Sequence, residues 1–267
     1  MIDYLYSHAN EAIDELMESL ERAIQGTKPH RVHRLRLGIK RVKSLLLLLE
    51  HLDPSFNAKK HLKPLDSLFR SAGLIRDTQV HRAILQSYRE LYPKEVGFAQ
   101  RKLDKELQHD KRNFRYECKR IGVKHLRELK DNIGQFCSNL DKQTIAMKCR
   151  SYHSTTLSVI KTLANHPHDD NLLHKLRILL KGYIFNQAFL LLADEAQPSA
   201  SPTLPMLNGL QQMLGDWHDL DVLVAKLHEM TPAKDKLDVL IETIEDSKKE
   251  LTIAIRSRLK ELYQDFT

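Results

Sequence analysis

Little in this sequence breaks a helix or staples a fold. Its 267 residues include only 9 Gly, 9 Pro and 3 Cys. So few Gly and Pro argue against a turn-rich β architecture, because tight turns depend on them. Cys118, Cys137 and Cys149 form no C-x-x-C pair, and an odd count spread over a chain of this size argues against a secreted disulfide scaffold. No run approaches eighteen apolar residues. The longest candidate, Ile178–Ala193, is interrupted by Lys181, Asn186 and Gln187, so no membrane insertion is expected. The first twenty residues carry Asp and Glu where a signal peptide needs a basic patch and an apolar run. No G-x-S-x-G, P-loop or G-x-G-x-x-G motif occurs, and no cysteine neighbours a His/Asp pair at catalytic spacing. The expectation is a cytoplasmic, all-α protein with no catalytic residues, no metal and no cofactor.

What is present is charge, unevenly placed. Residues 1–141 hold 27 Lys/Arg against 19 Asp/Glu, a net of +8, whereas residues 142–267 hold 15 against 16, a net of −1. A solvated helical surface is usually mixed in sign, so an excess confined to one half suggests a polyanionic partner.

Pro and Gly divide the chain into segments with apolar residues three and four apart, the helical signature. The spacing predicts helices over 9–25, 30–51, 57–72, 78–91, about 95–119 and 121–139. It predicts others over 142–165, 170–194, 204–214, 219–230 and 233–264. The segments also repeat. HRLRLGIK at His33–Lys40 returns as HKLRILLK at His174–Lys181, and GLIRDTQV at Gly73–Val80 returns as GDWHDLDV at Gly215–Val222. The offsets are 141 and 142 residues. Two blocks at nearly one offset imply two related helical units, each packing as an antiparallel bundle.

At about 100° per residue, His33, Arg36, Lys40 and Lys43 fall along one stripe of their helix, and Leu35, Ile39, Val42, Leu46 and Leu49 fall along another. Arg34 and Arg41 stand on the opposite flank. A surface helix normally offsets such a line with acids three or four residues away. None occurs between Glu21 and Glu50. The second unit repeats His174, Arg177 and Lys181, but has Ile184 in place of Lys43 and Gly182 in place of Arg41. The alternative for either His is a histidine at the edge of a core, donating to a carbonyl.

The paired H-x-L-R-x-x-x-K helices, each followed some forty residues later by a Gly…[RH]-D-x-x-V block, look like the CHAD family, the conserved histidine α-helical domains. The resemblance covers nearly the whole chain. It implies one CHAD-like domain over 1–267, built from four-helix units at 1–141 and 142–267 related by an approximate two-fold axis. It also implies that basic residues line a central groove or pore that binds inorganic polyphosphate, and that the protein associates with polyphosphate granules. The residues so matched are His33, Arg36, Lys40, Arg41 and Lys43 in the first unit and His174, Arg177 and Lys181 in the second. Arg76-Asp77 and His218-Asp219 match the family's Arg-Asp block, with His218 in place of the usual Arg. The family's second basic helix usually continues with more cations, where this chain has Gly182, Tyr183 and Ile184.

Arg101, Lys105, Arg112, Arg115 and Lys119 recur at near-helical spacing and are expected to extend the channel. Asp77 and Asp219 each directly precede a periodic segment, where a carboxylate caps exposed N–H groups, so a structural capping role is expected. Two other readings remain. A basic helical protein of this charge also suits nucleic acid, although no helix-turn-helix, zinc or RNA-binding signature occurs and no aromatics interleave with the basic face. His174 with His218-Asp219, Asp216 and Asp221 is similar to an HD-type metal phosphohydrolase, but lacks further converging ligands.

Overall fold

The computed structural model describes residues 1–165, 170–193, 204–230 and 236–265, and among them every regular element is a helix. The first unit holds α1 (Ile2–Ile24), α2 (Pro29–Leu52), α3 (Ala58–Ser87) and α4 (Pro93–Ser138). The second holds α5 (Lys142–Ala164), α6 (Asp170–Ala193), α7 (Leu204–Met230) and α8 (Asp238–Asp265). The junctions expected at Pro167, with His166 and His168, at Pro198 and at Pro232 lie outside the described residues.

Local chemistry explains several helix starts. Pro29 and Pro93 occupy first turns, where a missing N–H costs nothing. The Asn57 side chain accepts from the Lys60 N–H at 2.9 Å, and Asp141 accepts from the Thr144 N–H at 2.8 Å. The Asp141 cap stands at the junction between the units. Apolar spacing does the rest: α1 buries Leu5, Ala9, Ile13, Leu16 and Leu20 on one face.

Among the described residues, eleven expected segments become eight helices because three pairs fuse. Segments 57–72 and 78–91 form α3, and 204–214 and 219–230 form α7. Segments 95–119 and 121–139 form α4, which bends at Gly122, where φ is +60° and ψ is 168°. That left-handed conformation suits a residue without Cβ. Gly73 and Gly215 cause no such break. A glycine costs a helix only about 1 kcal/mol relative to alanine, which the packing of α3 and α7 offsets. Asp77 and Asp219 are therefore not helix caps, contrary to expectation. They sit mid-helix, where the backbone N–H groups are already bonded and leave nothing to cap.

Both units close in the same cycle. α1 and α3 each pack against α2 and α4; α5 and α7 each pack against α6 and α8. Between units, like meets like: α2 packs on α6 and α3 on α7, and α1·α6 is matched by α2·α5. This reciprocity is what an approximate two-fold relation produces. One apolar core runs through both units, joining Leu35, Leu46 and Leu49 of α2 to Leu176, Leu180 and Tyr183 of α6. A smaller cluster joins Leu85, Val96 and Leu103 to Leu223, Leu227 and Ile244. At the α2–α6 crossing, Ser44 Oγ donates to the Gly182 carbonyl at 2.8 Å, and the buried Asn186 amide donates to Ser44 Oγ at 2.9 Å. Gly182, a departure from the family's basic pattern, is thus a junction between the units. The three cysteines are free and buried, and burial pushes their thiols up to about 12, 11 and 12 for Cys118, Cys137 and Cys149.

Candidate functional site

A cavity of about 290 Å³ opens where the two units meet. Four helices line it at helical spacing: His33, Arg36, Leu37 and Lys40 from α2; Arg76, Asp77, Val80 and His81 from α3; Arg177 and Lys181 from α6; and a row from Gln211 to Val222 on α7. That α7 row includes Gln212, Asp216, His218 and Asp219. The cavity ends where α2 meets α6 at Ser44, one turn beyond Lys40.

Five cations therefore face one space, three from the first unit and two from the second. Among the described residues none of the five enters an ion pair. Arg36 is held by its own unit. Its guanidinium lies 4.6 Å from the Phe69 ring centroid, and Nη1 donates to the Phe69 carbonyl at 3.2 Å. Gly73 makes room for it, since a Cβ there would stand 2.5 Å from Arg36 Nη1. Its counterpart Arg177 is held less fully, and its buried Nε has no hydrogen-bond partner. Lys40 Nζ lies 5.9 Å from the Phe69 centroid, and Lys181 Nζ lies 5.6 Å from that of Phe185. Gln211 Oε1 accepts from Lys181 Nζ at 3.5 Å.

Burial works against the charges of Arg36, Lys40, Arg177 and Lys181. It depresses Lys40 to about 7, aided by repulsion from Arg36, Lys181 and Arg177, with Asp219 opposing. Burial first, and then Arg177, also lowers Lys181. Arg36 and Arg177 are lowered by burial and partly restored by Asp77 and Asp219. Burial raises both of those carboxyls, against the pull of the arginines. His33 is lowered by burial and then by Arg76, Lys181, Lys40 and Arg36. His218 falls to about 4 through burial and then Arg177 and His174, and His81 to about 4 through burial and then Lys226. The imidazoles are therefore neutral donors at neutral pH. A cavity of mutually repelling cations is an environment that an entering anion relieves.

Of the eight residues matched through the family pattern, five line this cavity: His33, Arg36, Lys40, Arg177 and Lys181. Three do not. His174 packs its ring 5.1 Å from that of His218. Arg41 turns toward α1 and pairs with Glu15. Lys43 is exposed, because the turn of α2 after Lys40 is taken up by the crossing with α6. Arg101, Lys105, Arg112, Arg115 and Lys119 lie exposed on α4 and do not extend the cavity. α4 buries its apolar face against α1 and α3, which turns this stripe outward. Sequence reasoning left Arg76, His81, Gln211, Gln212, Asp216 and His218 out of the binding set. Their signal was spacing. His81 is four residues beyond Asp77, and Gln211 is four before Gly215, so continuous helices carry them to the same side as the motif residues.

The CHAD domain family model matches residues 7–228. This chain belongs to the CHAD domain family. The crystal structure of the CHAD domain from the plant Ricinus communis is similar over 100% of this chain and 91% of its own, with 16% identity and a TM-score of 0.76. PptA from Streptomyces chartreusis is similar over 99% of both chains, with 13% identity and a TM-score of 0.65. At such identities the likeness concerns the CHAD fold. No curated protein matches the sequence. The CHAD domain is non-catalytic, and among the described residues no three His, Cys, Asp or Glu side chains gather as a metal site. His174, Asp216, His218 and Asp219 thus do not assemble the ligand set of an HD-type phosphohydrolase. Among the described residues, no helix of this CHAD domain is long and apolar enough to cross a membrane.

Proposed function

We propose that this CHAD domain binds inorganic polyphosphate in the cavity between its two units, without chemical turnover. The observation that carries the reading is the convergence of Arg36 and Lys40 with their repeat partners Arg177 and Lys181 on one cavity, all outside the ion pairs of the described residues. Polyphosphate presents an even line of charged oxygens and no bases. Arginine matches such oxygens with forked hydrogen bonds, and lysine with mobile point charges. In this reading Arg36, anchored on Phe69 and Gly73, is a preformed contact, and the partnerless Nε of Arg177 gains an acceptor. Arg76 adds a fifth cation, and His33 donates from its neutral ring. Residence in the cytoplasm, on polyphosphate granules, belongs to the same proposal.

The test is a competition. Long-chain polyphosphate should displace DNA or RNA from the protein at moderate salt, and replacing Arg36 and Arg177 together with Gln should remove most polyphosphate affinity. If nucleic acid displaces polyphosphate instead, the rival reading as a basic nucleic-acid-binding protein takes its place.

A further inference from the structure

The α4 stripe that stands outside the cavity has no structural employment of its own. Arg101, Lys105, Gln108, Arg112, Arg115 and Lys119 recur four and three residues apart, and all six are exposed. They stand opposite Leu103, Leu107, Phe114 and Cys118, the face that α4 buries. At about 1.5 Å per residue, the line runs for about 27 Å. Of the four acids between Arg101 and Lys119, three are paired away from it, and the fourth, Asp110, feels His109 and Lys226 instead. Asp104 pairs with Arg82 at 2.9 Å, Glu106 with Lys226 at 3.0 Å, and Glu117 with Arg120 at 2.8 Å. Among the described residues none of the five cations enters an ion pair, and none makes a side-chain hydrogen bond. Like charges three and four apart repel and weaken a helix, so the row is unfavourable unless an anion answers it.

We propose that this face holds a second length of inorganic polyphosphate, so that one protein molecule bridges two chains. The inference rests on the cavity reading above for the first site. The two sites face apart: α3 lines the cavity with Arg76 and Asp77, while α4 packs on α3 and turns its cations away. The cavity, about 290 Å³, encloses a short stretch of chain, and a long chain leaves it with phosphates free for other molecules. The occupant follows from the chemistry of the row. Binders of single-stranded nucleic acid stack successive bases on successive aromatics. Beside this row the one exposed large aromatic among the described residues is Tyr116. A line of Arg and Lys on a convex helix, without a stacking platform, complements an even line of phosphates. A protein with two such sites links chains through multivalency and so organises a granule as well as coating it.

The variant R112Q/R115Q/K119Q removes the end of the row with the closest cations. Gln is nearly as good a helix former, and these positions face solvent, so helicity should be unchanged. Calorimetry with a short-chain polyphosphate should give two chains per wild-type molecule. It should give one for this variant and one for the cavity variant R177Q/K181Q. With long-chain polyphosphate, wild-type protein should produce light scattering from cross-linked assemblies, and either variant should lose it. A wild-type stoichiometry of one, with scattering unaffected by the α4 changes, overturns the proposal and makes the row a solvated face. Loss of all binding in the α4 variant alone, with R177Q/K181Q unaffected, sinks the cavity reading and the bridge with it. Duplex DNA or RNA that displaces polyphosphate from R177Q/K181Q overturns the choice of occupant.

Discussion

On the first-unit wall of the cavity, the Arg76 charge presses on His33; at the equivalent places in the second unit, His218 packs against His174 at 5.1 Å. The first wall carries Arg36, Lys40 and Arg76 against one acid, Asp77, while the second carries Arg177 and Lys181 against Asp216 and Asp219. The backbones are arranged alike and the electrostatics are not. His218, held near 4, adds no charge where Arg76 adds one. The anchoring differs too, since Arg36 has Phe69 and Gly73 around it while Arg177 leaves Nε without a partner. A duplicated fold has kept its helix packing and let the charge of its two walls diverge.

The largest test of that difference removes one wall at a time. R36Q/K40Q should weaken polyphosphate binding on the order of 10²-fold or more, two charge-assisted contacts being worth about 1.5–3 kcal/mol each. It should also flatten the slope of log affinity against log salt by roughly 1.5, if the single-strand counterion rule carries over. R177Q/K181Q, on the wall with no net charge, should lose less, though still enough to leave the cavity unfilled at calorimetric concentrations. The same holds for the single changes: R36Q should cost more than R177Q at the same salt. An equal or greater loss on the second side would show that the walls contribute alike despite their charge.

A smaller effect concerns pH. In the unliganded protein Lys40 sits near 7, and a bound polyanion favours its charged form. Affinity should therefore be highest below pH 7 and fall several-fold as pH rises through 7, with proton uptake on binding in that window, at most about tenfold per unit for one proton. K40R should abolish the fall in titrations between about pH 6 and 8, whereas K181R should retain it. Stability without ligand runs the other way. Between about 7 and the ordinary lysine value the unfolded chain binds the extra proton, so the free protein should melt higher as pH rises across that range. A K40M protein should lack that rise.

The smallest effects come from paired glycines. At Gly73 an added Cβ meets Arg36 Nη1 at 2.5 Å, so G73A should displace the guanidinium and lower affinity several-fold, with little change in stability because the side chain can move. At Gly215 nothing lies within 4 Å. G215A should instead raise stability by about 0.5–1 kcal/mol, the helix preference for alanine, and leave affinity alone. Thermal melts and binding isotherms on the two variants check both. Equal behaviour would mean that the Arg36 anchor has no part in binding.

Much of the fold was legible because helical spacing and the repeat are local or simple facts of the chain. The fusions were not, since Gly73 and Gly215 look like breaks to a reader who does not know what α3 and α7 pack against. Misreading them turned Asp77 and Asp219 into caps and hid His81 and the Gln211–Gln212 pair, which only a continuous helix carries to the cavity.

The sequence by itself determined the all-helical class, the doubled unit and the stripe of His33, Arg36 and Lys40, because each follows from periodicity within one helix or from identity between two. Only the tertiary structure decided which cations share a cavity. Lys43 and Lys40 lie three residues apart, yet one faces solvent and the other four helices' worth of charge, because α6 crosses α2 at Ser44. Periodicity gives a side chain its direction around a helix axis. What stands in that direction depends on where other helices, distant in sequence, are packed, and so does the desolvation that brings Lys40 to about 7.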